Sequence, residues 1–160
     1  MGQLEDAARV ARALAGKFPE HAYPHALLGT ILLKDDKFEE ALVSLTAALA
    51  IEPNDGKTHS NVSLIYAAAG MKQDALRHGH SAIEFEPELA IAYMNLGNVY
   101  LSLTEFEPAI ICFREALKLE PEYPNAHSNL IFTMDLDGRF GMPELFAERQ
   151  NWNQSFGGIA

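Results

Sequence analysis

The sequence predicts an all-α fold, an α-α superhelix made by stacking antiparallel helix pairs. Three observations predict it. Pro19, Pro53, Pro87 and Pro121 stand 34 residues apart, and Glu52, Glu86 and Glu120 precede three of them. Small residues recur in the same register as Ala7, Ala41, Ala75 and Ala109, and again as Ala48, Ala82 and Ala116. The apolar residues between them have helical spacing, for example Ala41, Leu45, Ala48 and Leu49, or Ala109, Ile110, Phe113, Ala116 and Leu117; a strand would alternate instead.

A second lattice lies upstream of each alanine set. Leu28-Gly29, Val62-Ser63 and Leu96-Gly97 repeat at the same spacing and are followed by Leu32, Tyr66 and Tyr100. This order of Leu-Gly, Tyr, Ala, Phe and Pro in units of 34 residues resembles the tetratricopeptide repeat (TPR), with units at 22–55, 56–89 and 90–123. The resemblance implies a TPR solenoid that binds proteins or peptides. Each constrained position has a mechanical reason. Gly29, Ser63 and Gly97 let the second helix of a pair approach the first, and Ala41, Ala75 and Ala109 do the same from the other side. Proline lacks a backbone N–H and disfavours helix at the residue before it, so it ends each second helix.

In chain order, residues 1–21 hold the second helix of a truncated unit, over 3–16, and read as part of a longer array. Loss of its partner helix is expected to expose the apolar side around Leu4, Ala8, Ala11 and Leu14, which would then fray or drive self-association. Helix pairs follow at 22–34 with 38–51, 56–69 with 72–85, and 90–103 with 106–119. Asp36 with Glu39, and Thr104 with Glu107, have capping-box spacing at helix starts. Residues 124–160 form a degenerate capping unit. It opens like another repeat, but Ile131 replaces the small residue and Pro143 stands where the packing alanine belongs. A loop over 135–142 and a last helix opened by Pro143, carrying Leu145, Phe146, Arg149 and Trp152, complete it.

Composition narrows the partners. With 22 acidic against 12 basic residues, a net charge of -10 and no basic cluster, the chain would repel a phosphate backbone, so nucleic acid is excluded as a partner. No window has the ~18 uninterrupted apolar residues of a membrane span, and the start lacks the features of a secretory signal, which points to the cytoplasm. Cys112 is the only cysteine, so no intramolecular disulfide or thiolate cluster forms.

The first helix of each unit lines the concave face of such a stack. Its outward positions are Tyr23, Leu27, Thr30 and Lys34, then Lys57, Ser60, Asn61 and Leu64, then Ile91, Met94, Asn95 and Asn98, then Asn125, Ser128, Asn129 and Phe132. This groove is polar and almost uncharged. Asn61, Asn95 and Asn129 recur once per repeat, and each amide offers both the donor and the acceptor that an extended peptide backbone needs. Two readings stand beside each other: a peptide-binding ladder, or local hydrogen bonding within the repeats. The peptide-binding set is Asn61, Asn95, Asn129, Asn98, Lys57, Met94 and Ser128. Lys34 and Lys57 are too few to clamp a carboxylate terminus.

Nothing in the sequence supplies catalysis, a cofactor site or a metal site. His25, His59 and His127 share one repeat position and read as packing residues, while His78 and His80, two apart on a helix, face different directions. Nucleophile elbows, phosphate-binding glycine loops and zinc spacings are absent from the pattern. Acids at the repeat junctions read as a solvated rim.

The run from Asn125 to Met134, then Pro143 to Arg149 with Trp152, is similar to the junction linking TPR repeats to the catalytic region in bacterial relatives of O-linked N-acetylglucosamine transferases, including SPINDLY-like proteins. That resemblance implies a substrate-recognition segment in which the asparagine ladder, here Asn61, Asn95 and Asn129, holds the substrate backbone. Leu27 interrupts the ladder in the unit at 22–55. The alternative is a TPR scaffold or adaptor with no transferase attached.

Overall fold

In the computed structural model, residues 2–156 are described, without the side chains of residues 155 and 156. Every regular element among them is a helix: α1 (Gly2–Lys17), α2 (Ala22–Lys34), α3 (Phe38–Ile51), α4 (Gly56–Ala68), α5 (Lys72–Phe85), α6 (Ala90–Ser102), α7 (Phe106–Leu119), α8 (Pro124–Asp137) and α9 (Met142–Phe156). The fold class read from the periodicity holds, and α2–α3, α4–α5 and α6–α7 are the three expected pairs. The chain divides into two compact units, Met1–Pro87 and Glu88–Ala160.

In the first unit, Ala8 and Ala11 of α1 and Leu28 and Leu32 of α2 close on Ala41 and Leu45 of α3 and on Val62 and Ile65 of α4. In the second, Ala109, Ile110 and Phe113 of α7 pack with Leu130 and Met134 of α8 and Leu145 of α9. The small positions are where helices meet most closely. A Cβ on Gly29 would lie 2.5 Å from Leu45 Cγ, and one on Gly97 would lie 2.6 Å from the Phe113 ring. Ser63 fills the equivalent place differently: its buried hydroxyl donates to the Ala75 carbonyl at 2.8 Å, and the register position of Leu45 and Phe113 is taken by buried Gly79. Volume lost on one helix is restored on the other.

The turns within the pairs share one construction. At the end of α2, the N–H of Asp36 donates to the Leu33 carbonyl at 3.2 Å and that of Lys37 to Leu32 at 3.0 Å. Gly70 and Met71 bond Ala67 and Tyr66 at 3.0 and 2.8 Å, and Thr104 and Glu105 bond Leu101 and Tyr100, both at 3.0 Å. These crossed bonds are the Schellman motif, which requires a left-handed residue just past the helix. Asp36, Gly70, Thr104 and, after α8, Gly138 have φ of 56°, 73°, 60° and 68°, again 34 residues apart. Asp36 and Thr104 are therefore not the helix N-caps of capping boxes. Lys37 and Glu105 precede the helices, without side-chain capping bonds; the Lys37 ammonium has no acceptor to offer the exposed N–H groups.

Two further expectations are corrected. Residues 135–137 continue α8 instead of opening a loop, and Gly138, left-handed at its C-cap, ends it. On α1, the face expected to be exposed is covered within the chain: Ala8 and Ala11 are buried and Leu4 and Leu14 half-buried. The reason is that Ala8 and Ala11 pack with Leu28 and Leu32 of α2, and residues this small let the two helices close on each other.

A β-branched residue in the left-handed region is strained, by about 1–2 kcal/mol, part of which glycine's greater chain entropy offsets. Thr104→Gly is expected to raise the unfolding free energy by about 1 kcal/mol in urea titration. Asp36→Gly should gain less, because Asp tolerates this conformation, and Gly70→Val should lose about 1–2 kcal/mol. An unchanged or lowered midpoint for Thr104→Gly would contradict the strained turn.

Candidate functional site

The first helices of the pairs, α2, α4, α6 and α8, have an unusual charge content. Histidines apart, α2 carries only Lys34, α4 only Lys57, α6 none, and α8 only Asp135 and Asp137. The remaining charges lie on the other helices and at the junctions. Asp135 pairs with Arg149 at 2.9 Å, and Asp137 with Arg139 at 2.6 and 2.7 Å, which hold the Asp137 carboxyl below the ordinary carboxylate range. The outward stripes of α6 and α8 therefore lack an unpaired formal charge.

Within each unit, side chains on successive first helices bond each other. In the first, Asn61 Nδ2 donates to Thr30 Oγ1 at 3.1 Å, and the Thr30 hydroxyl donates to the Ala26 carbonyl at 2.8 Å. In the second, Asn129 Nδ2 donates to Asn98 Oδ1 at 2.7 Å, and Asn98 Nδ2 donates to Met94 Sδ at 3.1 Å. Thr30 and Asn98 hold the same repeat position, as do Asn61 and Asn129, so this is one interaction made twice. Each donating amide has used one N–H. Asn129 Nδ2 also donates to Met94 Sδ at 3.8 Å, so the second N–H remains only at Asn61, whereas the carbonyl oxygens of Asn61 and Asn129 both retain bonding capacity.

The sequence-derived site residues divide accordingly. Asn61, Asn98, Asn129 and Met94 are half-buried along the stripes, and Lys57 and Ser128 are exposed. Asn95 is only 5% exposed, and Ser60, read as a groove position, is 2% exposed. Both lie on the side of their helix turned toward the packed interior, a rotation that a wheel with a four-residue outward stripe does not resolve. The sequence reading missed the amide pairing, although polar residues at Thr30 and Asn98, each 31 positions before an asparagine, are its signal.

The repeat-position histidines do more than pack. His25, His59 and His127 place Nε2 at 3.1, 2.9 and 3.0 Å from the carbonyls of Pro19, Pro53 and Pro121, each six residues earlier. A carbonyl only accepts, so each imidazole donates and ties its helix to the turn before it. At His59 this fixes the tautomer. Its Nδ1 is left as an acceptor, and His78 Nδ1–H donates to it at 2.9 Å. The His59 and His78 rings continue a stack between Phe85 and Tyr66, with centroids 5.6, 5.0 and 5.5 Å apart. Burial, then the neighbouring His59, lowers the His78 pKa to about 4. Among the described residues no group of three His, Cys, Asp or Glu side chains is placed to hold a metal ion. Burial pushes the Cys112 thiol up to about 11, so it stays protonated at neutral pH.

Because the folded His78 pKa lies below the unfolded value near 6.5, the folded protein binds fewer protons there. The stabilisation is complete above pH 6.5 and fades as pH falls toward 4. Urea midpoints taken across that window should show a loss of up to about 2 kcal/mol in the wild type, after allowance for partial solvent access. His78→Gln keeps a donor for His59 and should flatten much of the decline; an equal decline in both proteins would contradict this assignment.

Residues 90–123, which span α6, α7 and the turn that follows, match the family described as Tetratricopeptide repeat. No curated protein matches the chain. Solved structures do. The chain is similar to the crystal structure of MamA at 18% identity, covering 98% of this chain and 91% of that one with a TM-score of 0.85. It is similar to YrrB, described as a TPR protein with an unusual peptide-binding site, at 18% identity, 96% and 78% coverage and a TM-score of 0.80. For pilF of Pseudomonas aeruginosa the values are 18%, 96%, 69% and 0.84. At these identities the likeness establishes a shared fold, that of stacked TPR helix pairs.

Proposed function

We propose that this chain is a non-catalytic protein-interaction module of the adaptor or scaffold kind, which binds extended polypeptide along the faces of its first helices. The observation that carries the reading is the repeated amide pair. Asn61 with Thr30, and Asn129 with Asn98, hold polar groups in fixed register on helices almost free of charge. Fixed amides that retain an acceptor, and at Asn61 a donor as well, suit a peptide backbone, whose N–H and C=O groups alternate, and they do so without reading side chains. The peptide-binding site ascribed to YrrB is in keeping with such a use of this fold. Similarity to MamA, YrrB and pilF supplies no support for a parent transferase at the junction-like run of residues 125–134 and 143–149. A cytoplasmic setting accompanies the reading on composition alone.

Asn95 is too buried to serve as a rung, so the test turns on the two accessible rungs. A panel of unstructured peptides should be titrated against wild type and Asn61→Ala/Asn129→Ala. At 0.5–1.5 kcal/mol for each lost hydrogen bond, the double variant should bind more weakly by roughly 1–3 kcal/mol with unchanged helix content. Raising the ionic strength should change affinity little, because the faces carry few charges. Equal affinity in both proteins, or binding abolished by modest salt, would reject the rungs in favour of a charged rim.

A further inference from the structure

The second unit presents a face whose chemistry selects among peptides. On α6 the outward stripe runs Ile91, Met94, Asn98; on α8 it runs Ser128, Asn129, Phe132, Leu136. The bonded amides of Asn98 and Asn129 sit in the middle. Apolar side chains flank them along the helices, Met94 one turn and Ile91 two turns before Asn98, Phe132 one turn and Leu136 two turns after Asn129. Ile91, Phe132 and Leu136 are 39%, 55% and 49% exposed, although the register would accept polar residues there, as Lys57 and Asn98 show at the positions equivalent to Ile91 and Phe132.

We propose that the α6–α8 face takes an extended peptide segment free of charged side chains, with apolar side chains seated on Phe132 and on Met94 to either side of the amide pair. The inference rests on the peptide-binding reading above and adds the class of partner. Charge decides the occupant. The only acids on these two helices, Asp135 and Asp137, are already paired with Arg149 and Arg139, and no Lys or Arg lies on either helix. A ligand carboxylate or ammonium laid on this stripe would lose water without gaining a counter-charge, which is costly. An apolar side chain loses nothing and removes exposed Phe132, Leu136 and Ile91 surface from water. The chain's net charge of -10 further disfavours an acidic partner at long range.

Four short peptides built from Ser, Thr, Asn and Gly test this, each carrying at two variably spaced positions either Leu, Ser, Glu or Lys. Calorimetric titration should find the leucine peptides bound, with affinity at least roughly tenfold above the serine, glutamate and lysine versions, the ratio expected for burying one such side chain. Phe132→Ser should cost roughly tenfold for the leucine peptides and little for the others. Val43→Ser, which removes an exposed apolar residue on α3 in the first unit, should leave the affinity unchanged. Urea midpoints establish that both variants remain folded. Equal binding of the serine peptides, preference for the glutamate or lysine peptides, or equal losses in both variants would overturn the apolar partner and leave the backbone-binding reading standing. Binding of none of the four would defeat both.

Discussion

Close approach of two helices at one point per repeat is the constraint on which the rest of this molecule depends. At Gly29 and Gly97 there is no room for a Cβ, because Leu45 and Phe113 occupy the space, and at Ser63 the added hydroxyl meets a backbone carbonyl opposite a register position reduced to glycine. Three different residue combinations thus fill the contact in the three pairs. That close approach lets the alanines at 41, 75 and 109 reach full burial and lets the chain reverse through a six-residue Schellman turn. It also fixes which stripe of each first helix is left for solvent.

Charge segregation follows from this geometry. The first helix is packed on more than one side, so few of its positions can carry a solvated charge, and the acids accumulate on the second helices and at the junctions. What remains open on the first helices is amide, hydroxyl and apolar surface. Asn61 and Asn129 bond across to the preceding first helix, and His25, His59 and His127 tie α2, α4 and α8 to the proline turns before them. These bonds give the exposed stripes a fixed set of side-chain partners. For the peptide binding proposed above, amides already held in place cost less to bind against than ones that must order themselves.

The fold was legible because its determinants are periodic. Prolines, alanines and Leu-Gly pairs at one spacing located three helix pairs to within a residue or so. The errors fall where a second period was overlooked or where local chemistry competes. Asp36 and Thr104 look like helix caps in isolation, but their spacing to Gly70 and Gly138 marks a left-handed turn, and only that comparison separates the two uses of Asp and Thr. The candidate site was half legible. The asparagine row and its lack of charge were visible, whereas the burial of Asn95 depends on helix rotation, and the His59–His78 contact joins two helices whose facing residues no repeat period relates.

The exchange of volume between the two helices of a pair is most directly tested by a double-mutant cycle at Gly97 and Phe113, followed by urea unfolding. Gly97→Leu overpacks the contact and Phe113→Ala empties it, so each alone should cost about 1–5 kcal/mol. If the contact is a shared volume, the leucine fills the space that the ring vacates, and the double variant should recover roughly 1–3 kcal/mol relative to the sum of the single losses. Losses that add to within about 0.5 kcal/mol would show the two positions to be independent, and the account of how this chain spaces its helices would be wrong.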